Sequence, residues 1–355
     1  MNARAHQVTV FEVIKETADA VTLVLDVPQA VQAKFIYSPG QFLTLRIPSE
    51  QEGRGGSVAR CYSLSSSPHS EDRPAVTVKR TAGGYASNWI CDNVAVDTVL
   101  TVLEPSGSFV PRSLDADVLL CAAGSGITPV VSIAKSILTA GSGDVALFYA
   151  NRDRESVIFA WVLDELAASF PGRLTIVDWM EEDQGLPGSA DIAALARPFA
   201  NRDVYICGPA GFTATTRTAL AQLAVPPSRI RNEEYRSLEV DPFAEPEVRV
   251  ASSPKAGRTA APGAHTATIE FEGETYDIDW PKNEPLLDVL LAKGLDVPYV
   301  CRESACGTCV CSVRSGRTRM LLNESLIDEE LDRGLTLACQ TVPEADGVHI
   351  AFDQD

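Results

Sequence analysis

Residues 301–311 read CRESACGTCVC, and one further cysteine stands at position 339 within LACQ. The spacing is therefore Cys301-x4-Cys306-x2-Cys309, followed by 29 residues and then Cys339. Two irons bridged by two sulfides need four thiolates around one compact cluster. Three close cysteines on a tight loop can wrap it, Gly307 and small neighbours let backbone N–H groups approach the sulfides, and the fourth ligand can come from elsewhere. This is the ligand spacing of plant-type 2Fe-2S sites. Structural zinc draws on two separate close pairs, so three ligands in one loop and a distant fourth favour iron and sulfide over zinc. Cys311 falls outside the spacing and alternates with Val310, which predicts a small buried side chain and not a ligand.

Upstream of the cluster, ATIEFEGETYDIDW gives two alternating runs around Glu272-Gly273, and PLLDVLLAKG is helical in pattern. Residues 265–355 thus predict a small mixed α+β domain around the cysteine loop. Before it, residues 237–264 read SLEVDPFAEPEVRVASSPKAGRTAAPGA, rich in Pro, Ala, Ser and Gly and without apolar periodicity, which predicts an interdomain linker.

Further back, residues 113–236 alternate apolar strand and helix: VLLCAA then VVSIAKSIL, DVALFYA then ESVIFAWVLDELAASF, RLTIVDWM then DIAALARPFA, DVYICG then FTATTRTALAQLA. That rhythm predicts an α/β domain with a parallel sheet covered on both faces, whose ligands bind beyond the carboxyl ends of the strands. Residues 1–112 instead carry short alternating runs, VTLVLDV, QFLTLRI and AVTVKR, between turn-rich pieces such as YSPG, and predict an antiparallel β-barrel. A length of 355 residues suits such a multidomain chain.

Composition sets limits on function. A net charge of −18 argues against nucleic acid as a partner, since phosphate binding depends on Lys and Arg. The charge is uneven: from His265 to Asp355 there are 18 acidic and 7 basic residues, a net of −11. Most of these carboxylates read as a solvated face, with a docking role for a few. The N-terminus alternates like a strand and lacks a signal-peptide pattern, and the apolar stretch 118–134 is broken by Gly124, Ser125, Gly126, Thr128 and Pro129. No membrane partner is expected, and nine cysteines without a secretory signal suit a reducing cytoplasm. His6, His69, His265 and His349 are expected to be isolated surface residues, and Cys61, Cys91 and Cys121 to be core packing.

Two further motif groups bear on chemistry. RCYSLSSSP contributes Arg60, Tyr62 and Ser63, and VKRTAGGYASNWI opens a helix after Gly84 with Ser87 in its first turn. A cation can neutralise a pyrophosphate, a Tyr ring can pack on a flavin, a hydroxyl can approach its reactive nitrogen, and a glycine-led helix start can bind phosphate. Alone, the Arg-x-Tyr-Ser run is equally a strand with polar and aromatic faces. In the α/β segment CAAGSGITP ends a strand at Gly124 and Gly126 and enters a helix at Thr128, where backbone N–H groups and the helix dipole favour a dinucleotide pyrophosphate; with Pro129 it departs from GxGxxG and reads equally as ordinary helix entry. VYICGPAGF places Cys207, Gly208 and Pro209 at a second strand end, where a small soft side chain can sit against a nicotinamide; the plainer reading is a buried Cys.

With RCYSL, GGYASNW, GSGITP, ICGP and the cysteine set in this order, the chain resembles the plant-type ferredoxin-NAD(P) reductase superfamily over essentially all its length. The domain order, flavin barrel, nucleotide domain and C-terminal ferredoxin of β-grasp type, is similar to that of reductase components of bacterial multicomponent oxygenases. PGQFLTLRIPSE, SVARCYSLSSSP, TVKRTAGGYASNW, YANRDRESVIF and SLEVDPFAE look closest to the reductases of 3-ketosteroid 9-alpha-hydroxylases. The resemblance implies FAD, one 2Fe-2S cluster, NADH as donor and a Rieske-type oxygenase acceptor in steroid degradation, with the reductase a monomer.

Carried over by residue, the resemblance implies that Arg60, Tyr62, Ser63, Leu64, Lys79, Gly84 and Ser87 hold the flavin. Gly124, Gly126, Thr128, Gly208 and Pro209 would hold the nucleotide, and Ser63, Thr128 and Cys207 would serve hydride transfer. Cys301, Cys306, Cys309 and Cys339 would be the cluster ligands. The alternatives are a reductase for another oxygenase, such as phenylacetyl-CoA epoxidase, and a redox carrier or sensor that does not turn over NADH. Arg152 and Arg154 in YANRDR leave NADPH open as a donor.

Overall fold

The computed structural model describes residues 4–49, 56–235, 238, 241–243 and 264–352. It divides into two compact units, one spanning Ala3–Leu238 and one running from Glu239 to the C-terminus. Apart from Leu238, Asp241, Pro242, Phe243 and Ala264, the 237–264 segment read as a linker lies outside the described residues.

The first unit opens with β1 (Ala5–Lys15), β2 (Ala20–Asp26), β3 (Phe42–Pro48), β4 (Ser57–Ser63), β5 (Ala75–Lys79), helix α1 (Tyr85–Asn93) and β6 (Val99–Leu103). The strands form an antiparallel sheet in the order β4-β3-β6-β1-β2-β5. Alternation along each strand sends Val8, Val10, Leu23, Leu25, Leu43, Leu45, Val76 and Val78 into one core. An isolated antiparallel bridge between Leu64 and Val76 joins the two ends of the sheet into a nearly closed barrel, which removes an exposed edge.

The same unit continues with β7 (Val118–Ala123), α2 (Ile127–Ala140), β8 (Val145–Asn151), α3 (Ala160–Ser169), β9 (Leu174–Met180), α4 (Glu181–Gln184), α5 (Ser189–Ala196), β10 (Asp203–Cys207), α6 (Ala210–Gln222) and β11 (Ile230–Glu233). All pairings in this sheet are parallel, in the order β11-β10-β7-β8-β9. Every residue of β7 and β8 is buried, as a sheet covered on both faces demands. The helix expected over 155–170 starts only at Ala160, because buried Phe159 takes a left-handed φ of 64° and turns the chain into α3. β11 was not legible in the sequence: IRNE is polar, and all four residues are half-buried.

The second unit contains β12 (Ala264–Phe271), β13 (Glu274–Pro281), α7 (Leu286–Ala292), β14 (Val310–Ser315), β15 (Thr318–Met320), α8 (Asp328–Asp332), β16 (Leu335–Leu337), β17 (Thr341–Pro343) and β18 (Val348–Ala351). Its mixed sheet runs β13-β12-β18-β14-β16 with β12 and β18 parallel, beside a small β15-β17 ribbon. Glu272 and Gly273, at φ 53° and 77°, make the two-residue turn that joins β12 to β13. α7 buries Leu286, Leu287, Leu290 and Leu291 in the core that holds fully enclosed Trp280, whose indole N–H donates to the Glu284 carbonyl at 2.8 Å.

So small a core depends on its largest member. Trp280→Ala is expected to cost about 3–5 kcal/mol. Urea titration followed at the cluster absorbance should show the second unit melting early while flavin absorbance is retained.

Candidate flavin, nicotinamide and cluster sites

In an open parallel sheet, ligands bind where the strand order reverses. Here that is between β7 and β10, and the loops leaving both strands carry the glycines singled out above. The two loops touch: a Cβ on Gly126 would lie 2.0 Å from the Cys207 carbonyl oxygen, so no other residue fits there. Gly124 takes a left-handed φ of 52°.

Facing these loops, the barrel completes a cleft of about 440 Å³. Arg60, Tyr62, Ser63, Lys79, Gly84 and Ser87 line it from the barrel, and Thr128, Gly208 and Pro209 from the parallel sheet. Leu64 does not line it; its side chain is fully buried in the barrel core at the closing bridge. Cys61, expected to be core, instead lines the cleft, with its sulfur 3.5 Å from the Thr44 hydroxyl. The histidines also depart from expectation. His6, His265 and His349 are half-buried and hydrogen-bonded to Glu104, Asp346 and Glu270, respectively.

Two residues absent from the motifs above occupy the centre of this site. Ser63 Oγ donates to Glu233 Oε2 at 3.0 Å and lies 3.4 Å from the Tyr235 hydroxyl. Ser63 has one proton to give, and the shorter contact takes it. Tyr235 is 45% exposed, yet its hydroxyl turns inward, 2.7 Å from Thr128 Oγ1 and 3.2 Å from the Ser125 carbonyl. Cys207, fully buried, interacts with the same hydroxyl. Ser63, Thr128 and Cys207 therefore converge on Glu233 and Tyr235, which the unrecognised strand β11 delivers. Burial pushes the Glu233 carboxyl up to about 7, against the hydrogen bond from Ser63, which lowers it.

A seam of buried polar contacts fixes the barrel against α2. Ser132 Oγ donates to the Ser66 carbonyl at 2.6 Å, Ser67 Oγ meets Ser136 Oγ at 2.8 Å, and Lys135 Nζ donates to the Ser65 carbonyl at 3.3 Å. The three serines that follow Leu64 thus each hold the helix that starts at the nucleotide loop. At the carboxyl end of β8, carboxylates meet the Arg152 side chain and the Arg154 backbone. Arg152 pairs with Asp153 at 2.7 Å, and Glu182 Oε1 accepts from the Arg154 backbone N–H at 3.4 Å.

In the second unit the four candidate ligands meet in twos. Cys301 interacts directly with Cys306, and Cys309 with Cys339. Sharing a hydrogen bond holds Cys306 and Cys339 below the ordinary thiol range and raises their partners Cys301 and Cys309. Among the described residues no three acidic, His or Cys side chains converge on a single metal position. Two irons that each take two thiolates ask for this two-plus-two grouping. The loop bends through left-handed φ values at Arg302, Ser304 and Gly307, and the Glu303 N–H donates to Cys301 Sγ at 3.3 Å. Cys311 is fully buried in the core beside them.

The donor sets fit the groups they would hold. The thiols suit a 2Fe-2S cluster, and the buried Ser304 Oγ next to them lacks a protein hydrogen-bond partner. No side-chain hydrogen bond caps the N-terminus of α1 at Gly84, which leaves its amides for phosphate. Among the described residues no carboxylate pairs with Arg60.

Comparison with known proteins agrees. Residues 7–110 match the oxidoreductase FAD-binding domain, 120–218 the oxidoreductase NAD-binding domain, and 269–344 the 2Fe-2S iron-sulfur cluster binding domain. The fold is similar to that of phthalate dioxygenase reductase, with TM-score 0.54, 21% identity and 98% of each chain covered. The protein is thus an oxidoreductase with binding domains for FAD, NAD and a 2Fe-2S cluster. The ferredoxin reductase component of 3-ketosteroid-9-alpha-monooxygenase from Mycobacterium tuberculosis is 51% identical, over 98% of this chain and 96% of its own. A component of the 1,2-phenylacetyl-CoA epoxidase of Escherichia coli is 31% identical over 98% of both chains. The chain belongs to the family of ferredoxin reductase components of 3-ketosteroid-9-alpha-monooxygenases.

Two outcomes follow from this geometry. Ser132→Val leaves the Ser66 carbonyl without its buried donor and is expected to cost the first unit about 1–3 kcal/mol, read as a lower urea midpoint. Because burial raises Glu233 above its ordinary value, its contribution to stability is fully present below about pH 4.5 and is lost as pH rises toward 7. Glu233→Gln should flatten that loss in urea midpoints taken from pH 4.5 to 8; an unchanged slope would assign it to other groups.

Proposed function

We propose that this protein is the NADH-dependent reductase of a 3-ketosteroid 9-alpha-hydroxylase and delivers single electrons to a Rieske-type oxygenase. The observation that carries this reading is the meeting of Ser63, Cys207, Thr128, Glu233 and Tyr235 at the junction of the two cofactor seats. Bound FAD would supply the conversion of a two-electron hydride from NADH into single electrons, and the cluster held by Cys301, Cys306, Cys309 and Cys339 would carry them one at a time. The chain's part is positioning. Arg60 and the α1 amides hold phosphate, Tyr62 packs against the ring system, and the loops at Gly124–Thr128 and Cys207–Pro209 orient the nicotinamide. Ser63 would present its hydroxyl to the reacting edge, and Glu233, whose carboxyl is pushed up to about 7, can accept a proton relayed through that hydroxyl or return one, Ser63 gaining a proton as it gives one up. Leu64 and Lys79 complete the flavin side, Leu64 by closing the barrel and Lys79 from the cleft wall.

Asp153 occupies the Arg152 guanidinium and favours NADH, since a 2'-phosphate on Arg152 would have to displace it. Steroid specificity rests on the 51% relative set against the 31% epoxidase component. Nine free cysteines suit a reductase of the reducing cytoplasm. Among the described residues no helix is long and apolar enough to cross a membrane.

Purified protein given NADH and a 3-ketosteroid oxygenase should form 9-hydroxylated steroid; turnover only with an epoxidase partner would transfer it to that class. Cys306→Ser should abolish transfer to the oxygenase while NADH still bleaches the flavin. Loss of flavin bleaching in a folded variant would reverse the order of the two redox centres.

A further inference from the structure

The cluster must pass its electrons outward, and the second unit carries one surface feature wired to a ligand. Leu321 and Leu322 are adjacent, directly follow β15, and are each 49% exposed. Leaving large apolar side chains in water forgoes burial energy, so a neighbouring pair held out by structure calls for an account. The turn is held in place: the Leu321 N–H donates to the Gln340 carbonyl at 2.8 Å. Asn323 exchanges two hydrogen bonds with Leu326, at 2.8 and 2.9 Å, and Leu326 is buried. Gln340 follows Cys339 directly, and its side-chain amide donates to the Arg302 carbonyl in the cluster loop at 3.0 Å. One amide contact therefore joins the exposed leucines to the residue next to the fourth thiolate.

The chain that follows them is acidic, between Arg319, which pairs with Glu344 at 3.5 Å, and Arg333. Residues 321–332, LLNESLIDEELD, hold five carboxylates and no lysine or arginine. Glu324, Asp328, Glu329 and Asp332 are exposed. An apolar centre with a charged rim is the anatomy of a transient interface.

We propose that Leu321 and Leu322, with the acidic rim from Glu324 through Asp332, form the face on which the electron-accepting oxygenase docks. The partner surface it fits is an apolar seat bordered by Lys and Arg and placed over the oxygenase's own redox centre. This rests on the electron-delivery reading above and adds the surface that performs it. Electrons leave by way of Cys339 and Gln340 toward Leu321, one per encounter, and the same electron reduces the acceptor.

The test uses the full-length holoprotein and the 3-ketosteroid oxygenase in stopped flow. Cluster reduction by NADH and cluster reoxidation by the oxygenase are recorded separately. For Leu321→Ser/Leu322→Ser, reduction should be unchanged and the apparent Kd for the oxygenase should rise about ten-fold, as for loss of central interface anchors. Glu324→Lys/Asp328→Lys/Glu329→Lys should flatten the fall of the reoxidation rate with salt. If the leucine variant loses its cluster, Leu322→Ser alone and hydrogen exchange of residues 321–332 with and without oxygenase replace it, with slower exchange expected on binding. Unaltered Kd and salt dependence, or no protection of 321–332, would overturn the docking face. Failure of the unmodified protein to reduce the oxygenase at all would instead overturn the functional reading beneath it.

Discussion

The hydrogen-bonded seam between Ser65–Ser67 and helix α2 is the constraint on which the flavin and nicotinamide site depends. Hydride transfer needs two ring systems held near contact distance, yet the flavin motif belongs to a barrel and the nucleotide loop to a separate parallel sheet. The Arg60–Ser63 motif ends at Leu64, which closes the barrel, and the next three residues grip α2 within its first three turns. The segment proposed to hold the flavin thus also sets where the nucleotide loop stands. Ser67, Ser132 and Ser136 are fully buried, and buried hydroxyls that find partners specify one arrangement where apolar contacts would allow sliding.

The sequence made much of this legible because several of its signals are local. Alternation in β2 and β3, apolar continuity in β7 and β8, and cysteine spacing each depend on residues within one short run, so the barrel, the parallel sheet and the ligand set could be read directly. Glu233 and Tyr235 could not. β11 is a polar edge strand with no apolar period, and its meaning comes from pairing with β10, a contact that sequence pattern does not carry. The only available signal was the run NEEYR shortly after the last helix, which reads as solvent-exposed turn. Leu64 shows the reverse failure: proximity to a motif suggested contact with a cofactor, while the pleat turned its side chain to the core.

The cysteine loop shows why spacing alone carries so much information. Cys301 and Cys306 can meet only if the intervening chain doubles back, and left-handed turns at Arg302 and Ser304 accomplish this. Such conformations cost non-glycine residues energy, which thiolate–iron bonds offset when the cluster is present. Cys309 and Cys339 meet because β14 and β16 pair beside them, so the second pair is set by sheet register and the first by loop geometry.

Glu233 stands 170 residues beyond its partner Ser63. During synthesis at about 5–20 residues per second, roughly 10 to 30 seconds separate the emergence of the two. Once β6 is complete at Leu103, the barrel waits through the rest of that interval with one wall of its cleft missing, since β11 is the last strand of the second sheet to leave the ribosome. The order of the chain therefore acts as a timer: flavin can be captured early by the barrel, while a site able to accept hydride is assembled only after the whole nucleotide sheet has been made.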